Sequence, residues 1–269
     1  MDRIYRILWN GEPRHAIERD GVLRLVAGDL FGRHTLGDRV AEGEACAFVP
    51  AVRVLAPIEP TKIVAIGLNY KDHAAEQGKP LPREPTLFLK PSTAVVGPGE
   101  PIQLPPGVGR VDHEAEMGIV IGRRATRVSA ADASGYILGV TCSNDVTARD
   151  MQNRGYQYSH VKGFDTFAAL GPSIAVGLDP ADLAVELRVN GTKRQGSRTS
   201  QLVFSAAELI EYISAIMTLL PGDVISTGTP SGIGPLVDGD TVTVTVEGVG
   251  DLTNPVRARP LARATGATA

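Results

Sequence analysis

The sequence is poor in cysteine, in aromatic residues and in long apolar runs, and each shortage removes a class of protein. Only Cys46 and Cys142 occur among 269 residues, far apart and in no CxxC pairing, so neither a disulfide framework nor a thiolate metal site is expected. A reducing cytoplasm suits such a chain. Apolar stretches such as Gly118 to Gly122 and Ala215 to Leu220 fall far below the roughly 20 residues a membrane-spanning helix requires. Asp2, Arg3 and Arg6 interrupt the amino terminus where a secretory signal would need an apolar segment. No basic run stands out either. With 27 Lys plus Arg against 30 Asp plus Glu, net charge -3, nucleic acid is not an expected ligand and neither is a membrane.

What is present is enough apolar material, 43% of residues, to bury one large domain with or without a small appendage. Thirty glycines and 19 prolines beside 5% aromatics indicate a turn-rich, mainly β chain. The first part reads as a meander: strands at Arg3 to Trp9, Arg14 to Arg19 and Val22 to Ala27, joined by Asn10-Gly11 and Asp20-Gly21. Both dipeptides accept positive φ and favour tight hairpins. Pro50, Pro57 and Pro60 then punctuate the chain, which places a small β appendage at residues 1 to 58, a main unit at 59 to 260 and a flexible tail at 261 to 269.

Further strands are expected at Lys62 to Gly67, Thr86 to Leu89, Glu114 to Ile121, Tyr136 to Cys142, Val224 to Ser226 and Thr241 to Glu247. Val185 to Val189 begins another hairpin at Asn190-Gly191. Asn69 to Gln77 suits a short helix capped by Asn69, and another short helix opens at Ser129. The clearest helix is Ser205 to Leu220, where Ser205 and Glu208 form a capping box and Leu209, Ile210, Ile213, Ile216, Met217 and Leu220 recur at helical spacing. Many strands, few helices and no regular β-α alternation give a β-rich α+β fold.

Chemistry concentrates in His113-Glu114-Ala115-Glu116-Met117-Gly118-Ile119. On a strand, Glu114 and Glu116 share one face while Met117, Ile119 and Ile121 face the other. Taken alone, such a pair also suits a solvent-facing edge. Buried side by side, two carboxylates repel unless a cation or a shared proton compensates. A third carboxylate, Asp145, ends the apolar run that starts at Tyr136, although it could equally cap a short helix from Val146 to Asn153. Three carboxylates without His or Cys form a hard site for Mg²⁺ or Mn²⁺, with Ca²⁺ also suited. His73 and Glu76, at i and i+3, fall on one helix face, where a carboxylate can orient an imidazole as a general base.

Six segments recur in a familiar order: GLNYKDHAAEQ at Gly67 to Gln77, FLKPS at Phe88 to Ser92, DHEAEMGIVIG around Glu114, NDVTARDMQ at Asn144 to Gln152, KGFDTF at Lys162 to Phe167 and STGTPSGIG at Ser226 to Gly234. Together they resemble the fumarylacetoacetate hydrolase family over roughly Lys62 to Val256. The resemblance implies a mixed β-roll core, a homodimer, and a divalent metal held by Glu114, Glu116 and Asp145. It implies Lys162 as a cation beside the reacting oxygen, Gln152 as a substrate contact, a carboxylate-binding turn at Thr227 to Pro230 that includes Thr229, and His73 with Glu76 on a segment that closes over substrate. Arg149 and Lys90 are expected to add positive field to the pocket. Relatives often carry Cys or Pro where Ala168-Ala169 follows Phe167, and the family's larger amino-terminal modules have no counterpart here.

The implied chemistry is stabilisation of an enolate of a 2-oxo or 2,4-dioxo acid. The expectation is hydrolysis of an acylpyruvate-like C–C bond, with oxaloacetate decarboxylation beside it. The alternatives are an isomerase of 2-hydroxyhepta-2,4-diene-1,7-dioate or 5-carboxymethyl-2-hydroxymuconate in aromatic catabolism, and a metal-binding protein without catalysis.

Overall fold

In the computed structural model, which describes residues 1–42 and 52–259, both early dipeptides turn the chain as their composition requires. Asn10 and Gly11 lie at φ 51° and 82°, and Asp20 and Gly21 at 52° and 75°, the left-handed pair that a tight hairpin needs. The strands Arg3–Trp9, Glu12–Arg19, Val22–Gly28 and His34–Glu42 pair in chain order, with register shifts between the last two at Leu23/Arg24 and Arg24/Val26. Pro50, Cys46 and the tail at 261–269 lie outside the described residues.

The meander does not end at its own edge. Arg3 and Ile4 pair with Ala175 and Ile174, so its strands continue a twelve-stranded sheet. From Arg3–Trp9 the order runs through Ala168–Ala175, Ile137–Asp145, Ala115–Ile121, Val224–Ser226 and Ile63–Gly67 to Thr86–Lys90. Inside the sheet, Tyr5, Ile7, Ala16, Leu23, Leu25 and Val54 form an apolar cluster of the meander itself. A second, five-stranded sheet orders Thr192–Arg198, Ala184–Val189, Thr241–Val246, Gly250–Ala258 and Ile102–Leu104. Val185, Leu187, Val244 and Val246 from it share the largest apolar cluster with Met117, Ile119 and Cys142 from the first sheet. The alternation of Thr241–Val246, with every valine buried, supplies one face of that core. The β-rich α+β class is therefore the observed one.

Two helix expectations need correction. The capping box at Ser205 and Glu208 forms, but the helix covers only Ala206–Ile216. Met217 leaves helical geometry at φ -143° because Leu219 exchanges backbone hydrogen bonds with Ala125, donating at 2.9 Å and accepting at 2.9 Å. That pairing pulls the chain straight, and Ile216, placed on the apolar stripe by spacing, is exposed instead. Asn69 does not cap the helix Lys71–Glu76, whose N-cap is Tyr70 without a side-chain bond. The Asn69 amide is spent elsewhere: Oδ1 accepts from Phe204 N–H at 2.8 Å, and Nδ2 donates to the Phe204 and Thr227 carbonyls.

Candidate active site

The strand bearing the glutamates is interrupted where it matters. Val111–His113 pairs in one small sheet and Ala115–Ile121 in the large one, with Glu114 at the joint. Ala115 lies opposite Asn144 and Glu116 opposite Ser143, while Asp145 N–H donates to the Glu114 carbonyl at 2.9 Å. Antiparallel pairing thus sets Asp145 across from Glu114, and strand alternation returns Glu116 to the same face. One oxygen from each of Glu114, Glu116 and Asp145 falls within 4.8 Å of the others, and all three residues are buried. Asp145 ends the strand Ile137–Asp145 and caps no helix, since the nearby helix Arg149–Asn153 begins after Ala148.

Cations surround this cluster unevenly. Lys162 Nζ donates to Glu114 Oε2 at 2.7 Å, to Asp145 Oδ2 at 2.6 Å and to Thr147 Oγ1 at 2.8 Å, using all three of its protons. Burial alone would lower the Lys162 pKa, but Asp145 and Glu114 outweigh it and raise it above the ordinary lysine value. Arg149 pairs with Glu114 and Gln152, and with Asp112 at 2.8 Å, not with its neighbour Asp150. Burial opposes ionisation of Glu114, yet Lys162 and Arg149 together hold its carboxyl at about 2.

Glu116 has no cationic partner in hydrogen-bond contact among the described residues. It accepts from Ser226 Oγ at 2.6 Å and from Gly228 N–H at 2.9 Å. Burial and the charge of Asp145 push its pKa up to about 8, against the Ser226 hydrogen bond. Three hard carboxylate oxygens that converge within 4.8 Å, one of them on a carboxyl with no cation in contact among the described residues, are a donor set that a divalent cation takes, so the residues present fit one. The three carboxylates would hold it.

The helix Lys71–Glu76 is too short to persist without support; tertiary contacts hold it. His73 is buried, with Nδ1 2.8 Å from Glu76 Oε2 and Nε2 2.7 Å from Gln77 Nε2. Glu76 Oε1 accepts from Gly232 N–H at 2.9 Å, which ties the dyad to the loop after Thr227. A carboxylate beside Nδ1 selects the tautomer with its proton there and leaves the Nε2 lone pair for Gln77 or a bound molecule.

His73, Glu114, Glu116, Arg149, Gln152, Lys162 and Thr229 all line one cavity of about 530 Å³. Glu76 and Asp145 stand just behind its wall. Lys90 does not line the cavity: it is 1% exposed and pairs with Asp145 Oδ1, so it is not placed to touch a substrate and its positive charge reaches the site through Asp145. Burial and the nearby Lys162 lower its pKa, against the attraction of Asp145. A larger, mostly apolar cleft of about 1010 Å³ between the meander and the second sheet contains none of these residues, so size alone does not locate the chemistry.

Sequence reasoning missed five residues of the site. Asp112 continues the alternation of Glu114 and Glu116 two residues earlier and could have been found by it. Lys79, just past the helix, lines the cavity and has no ion-pair partner among the described residues. Ser226 and Thr147 stand inside the segments STGTPSGIG and NDVTARDMQ without a role legible there, and Gln195 carries no local signal, since only pairing across strands brings these three to the acids.

The model of the family described as fumarylacetoacetate (FAA) hydrolase C-terminal matches residues 62–257. The chain belongs to this family. Its members are enzymes. Among fumarylacetoacetate hydrolase relatives, Protein Rv2993c of Mycobacterium tuberculosis is 52% identical over 76% of this chain and 78% of its own length. Oxaloacetate tautomerase FAHD2A, mitochondrial, of Bos taurus is 43% identical over 76% of this chain and 69% of its own. The crystal structure of 5-carboxymethyl-2-hydroxymuconate delta-isomerase from Mycobacterium smegmatis superposes with TM-score 0.86 at 47% identity, covering 96% of this chain and 100% of that one. The family fold, the strand-rich architecture and the acidic triad therefore agree. Among the described residues no helix is long and apolar enough to cross a membrane.

Proposed function

We propose that the protein moves a proton on the carbon beside the oxo group of a small 2-oxo dioic acid, by way of its enolate, with Mg²⁺ or Mn²⁺ held by Glu114, Glu116 and Asp145. The observation that carries this reading is the meeting of the acid triad, Lys162 and the His73–Glu76 dyad at one cavity. The cation supplies Lewis acidity toward the oxo group when bound. Lys162 and Arg149 set two positive charges in the cavity wall, where their field can offset negative charge developing on substrate oxygens. Lys79, the cavity cation without an acid partner among the described residues, suits a second carboxylate. His73 Nε2 takes the carbon-bound proton and returns it elsewhere on the same enolate, with Gln77 giving way and Glu76 stabilising the imidazolium.

Proton transfer stands ahead of C–C hydrolysis because the tautomerase and isomerase relatives are named for it and because it needs one base and no second nucleophile. Hydrolysis of an acylpyruvate is the second reading, favoured by the same dyad, which can deprotonate a water. The setting in this reading is cytoplasmic and the assembly homodimeric, both drawn from composition and family resemblance. The test is to follow the enol absorbance of oxaloacetate, acetylpyruvate and 5-carboxymethyl-2-hydroxymuconate with Mg²⁺, with Mn²⁺ and after chelation. Metal-dependent acceleration of oxaloacetate or hydroxymuconate interconversion is expected. Acetylpyruvate cleavage alone would favour the second reading, and no acceleration of any substrate would leave a metal-binding protein without catalysis.

A further inference from the structure

Gln195 lies on the strand Thr192–Arg198 of the five-stranded sheet, away from the strands that carry the acids, yet its amide is buried against them. Four groups surround that amide, and two fix which way it faces. The Ala115 backbone N–H donates to Oε1 at 3.0 Å, and the Pro230 carbonyl accepts from Nε2 at 2.8 Å. A backbone N–H only donates and a carbonyl only accepts, so the flipped amide would oppose donor to donor and acceptor to acceptor. The other two contacts then have a fixed sense. His113 donates from Nδ1 to Oε1 at 3.0 Å, and Nε2 donates to Thr229 Oγ1 at 2.8 Å.

The consequence falls on Thr229. A hydroxyl has one proton, and where its oxygen accepts from an amide that proton must point away from the amide. Thr229 lines the cavity with Glu114, Glu116 and Lys162, and the described residues offer no acceptor for the proton. The loop is not free to turn the hydroxyl elsewhere. Gly232, at φ +92°, sits so close to the Arg194 carbonyl oxygen that a Cβ would overlap it, and a Cβ on Gly228 would lie 2.8 Å from Asn69 Cβ. The backbone from 228 to 232 is therefore seated on the strand of Gln195 at one end and on Asn69 at the other.

We infer that Gln195 is a positioning residue that holds the Thr229 hydroxyl as a hydrogen-bond donor to an anionic oxygen of an acid bound in the cavity. By bonding Ala115 at the same time, it also fixes the distance between that donor and the strand of Glu114 and Glu116. The inference rests on the proposed function only in taking the bound molecule to be a small oxo acid.

Oxalate, an unreactive planar mimic of an enolised 2-oxo acid, is the probe, titrated calorimetrically into the Mg²⁺-loaded protein. Thr229→Val removes the donor and is expected to weaken oxalate about tenfold or more, as for a lost hydrogen bond to a charged group, whereas Thr229→Ser retains affinity. Gln195→Glu keeps the acceptor for Ala115 and His113 but loses the donor to Thr229, whose proton then turns to the new carboxylate. It should weaken oxalate in the Thr229 background and add nothing in the Thr229→Val background. Equal weakening in both backgrounds would mean a general structural or charge effect and would overturn the inference, as would unchanged affinity in Gln195→Glu. If Gln195→Glu does not fold, Gln195→Met, which keeps the side-chain length but loses the bond to Thr229, is compared in the same two backgrounds, and unchanged affinity or equal weakening in both overturns the inference. An unaltered protein that binds no oxalate would sink the proposed function along with this inference; a protein that binds oxalate with multiplicative variant effects would sink this inference alone.

Discussion

The amino-terminal meander and the acid cluster both hold several charges, in opposite ways. In the meander the pairs are separate and two of them are open to water, Arg19 with Asp2, 56% of the arginine side chain exposed, and Arg6 with Glu59, 74% of the acid exposed, while Arg3 with Glu18 has a buried acid. In the cluster, Lys90, Glu116, Asp145 and Lys162 are all under 5% exposed, and each carboxylate depends on several partners at once. Screened surface pairs contribute little individually. Buried ones cannot be removed singly, because the partner left behind is uncompensated. The meander is locally encoded and tolerant, whereas the site is assembled from distant segments and fails as a unit.

The sharpest break of that contrast is Lys162→Met. It strips Glu114 and Asp145 of a shared partner, so turnover should fall for every substrate, and metal-free protein should lose about 3–5 kcal/mol in denaturant melts, the cost typical of a broken buried pair. A loss confined to substrate affinity would make Lys162 a uniform binding group instead. His73→Ala should cut proton transfer and acylpyruvate hydrolysis by about 10² to 10⁴. Oxaloacetate decarboxylation, which needs no base to release its electrons, should fall much less; equal losses would assign His73 to holding the helix Lys71–Glu76 in place.

A third outcome concerns pH. The Glu116 carboxyl, raised from 4.5 to about 8, binds its proton more tightly folded than unfolded. Its contribution is present below about pH 4.5 and is lost as pH rises toward 8. Metal-free protein should therefore melt at progressively lower temperature over that window, and added Mg²⁺ or Mn²⁺ should remove the slope. A slope unaffected by metal would take Glu116 out of the metal's ligand set.

The meander should respond on a smaller scale. Gly11→Ala meets no neighbouring atom and bears only the cost of a left-handed backbone at φ 82°, about 1–2 kcal/mol, with activity intact. Arg19→Ala should leave melting temperature and turnover unchanged within error. A large activity loss from either variant would show that the meander and the site are coupled through the pairing of Arg3 with Ala175.

Much was legible where the determinants are local. Asn10-Gly11, Asp20-Gly21 and Asn190-Gly191 marked their turns, Ser205 and Glu208 marked a helix start, and the period of two marked Thr241–Val246. Glu114, Glu116 and Asp145 were readable as a set because alternation and the end of an apolar run are both sequence patterns. The end of the helix at Ile216 was not, since a backbone bridge to Ala125 competes with a spacing that would otherwise continue. Lys90 was readable as a cation near the acids, but its segment did not show that the strand Thr86–Lys90 sets it against Asp145 and out of the cavity lining.

By itself, then, the sequence determined turn positions, the faces of individual strands and the chemical character of the site, because those follow from φ preferences, alternation and the charge of adjacent residues. Only the tertiary structure decided that Glu116 lacks a cationic partner in hydrogen-bond contact, that Lys162 divides itself between two acids, and that Gln195 orients Thr229. These are contacts between residues tens of positions apart, and they exist only once antiparallel pairing and the packing of one sheet on another have set the strands in register.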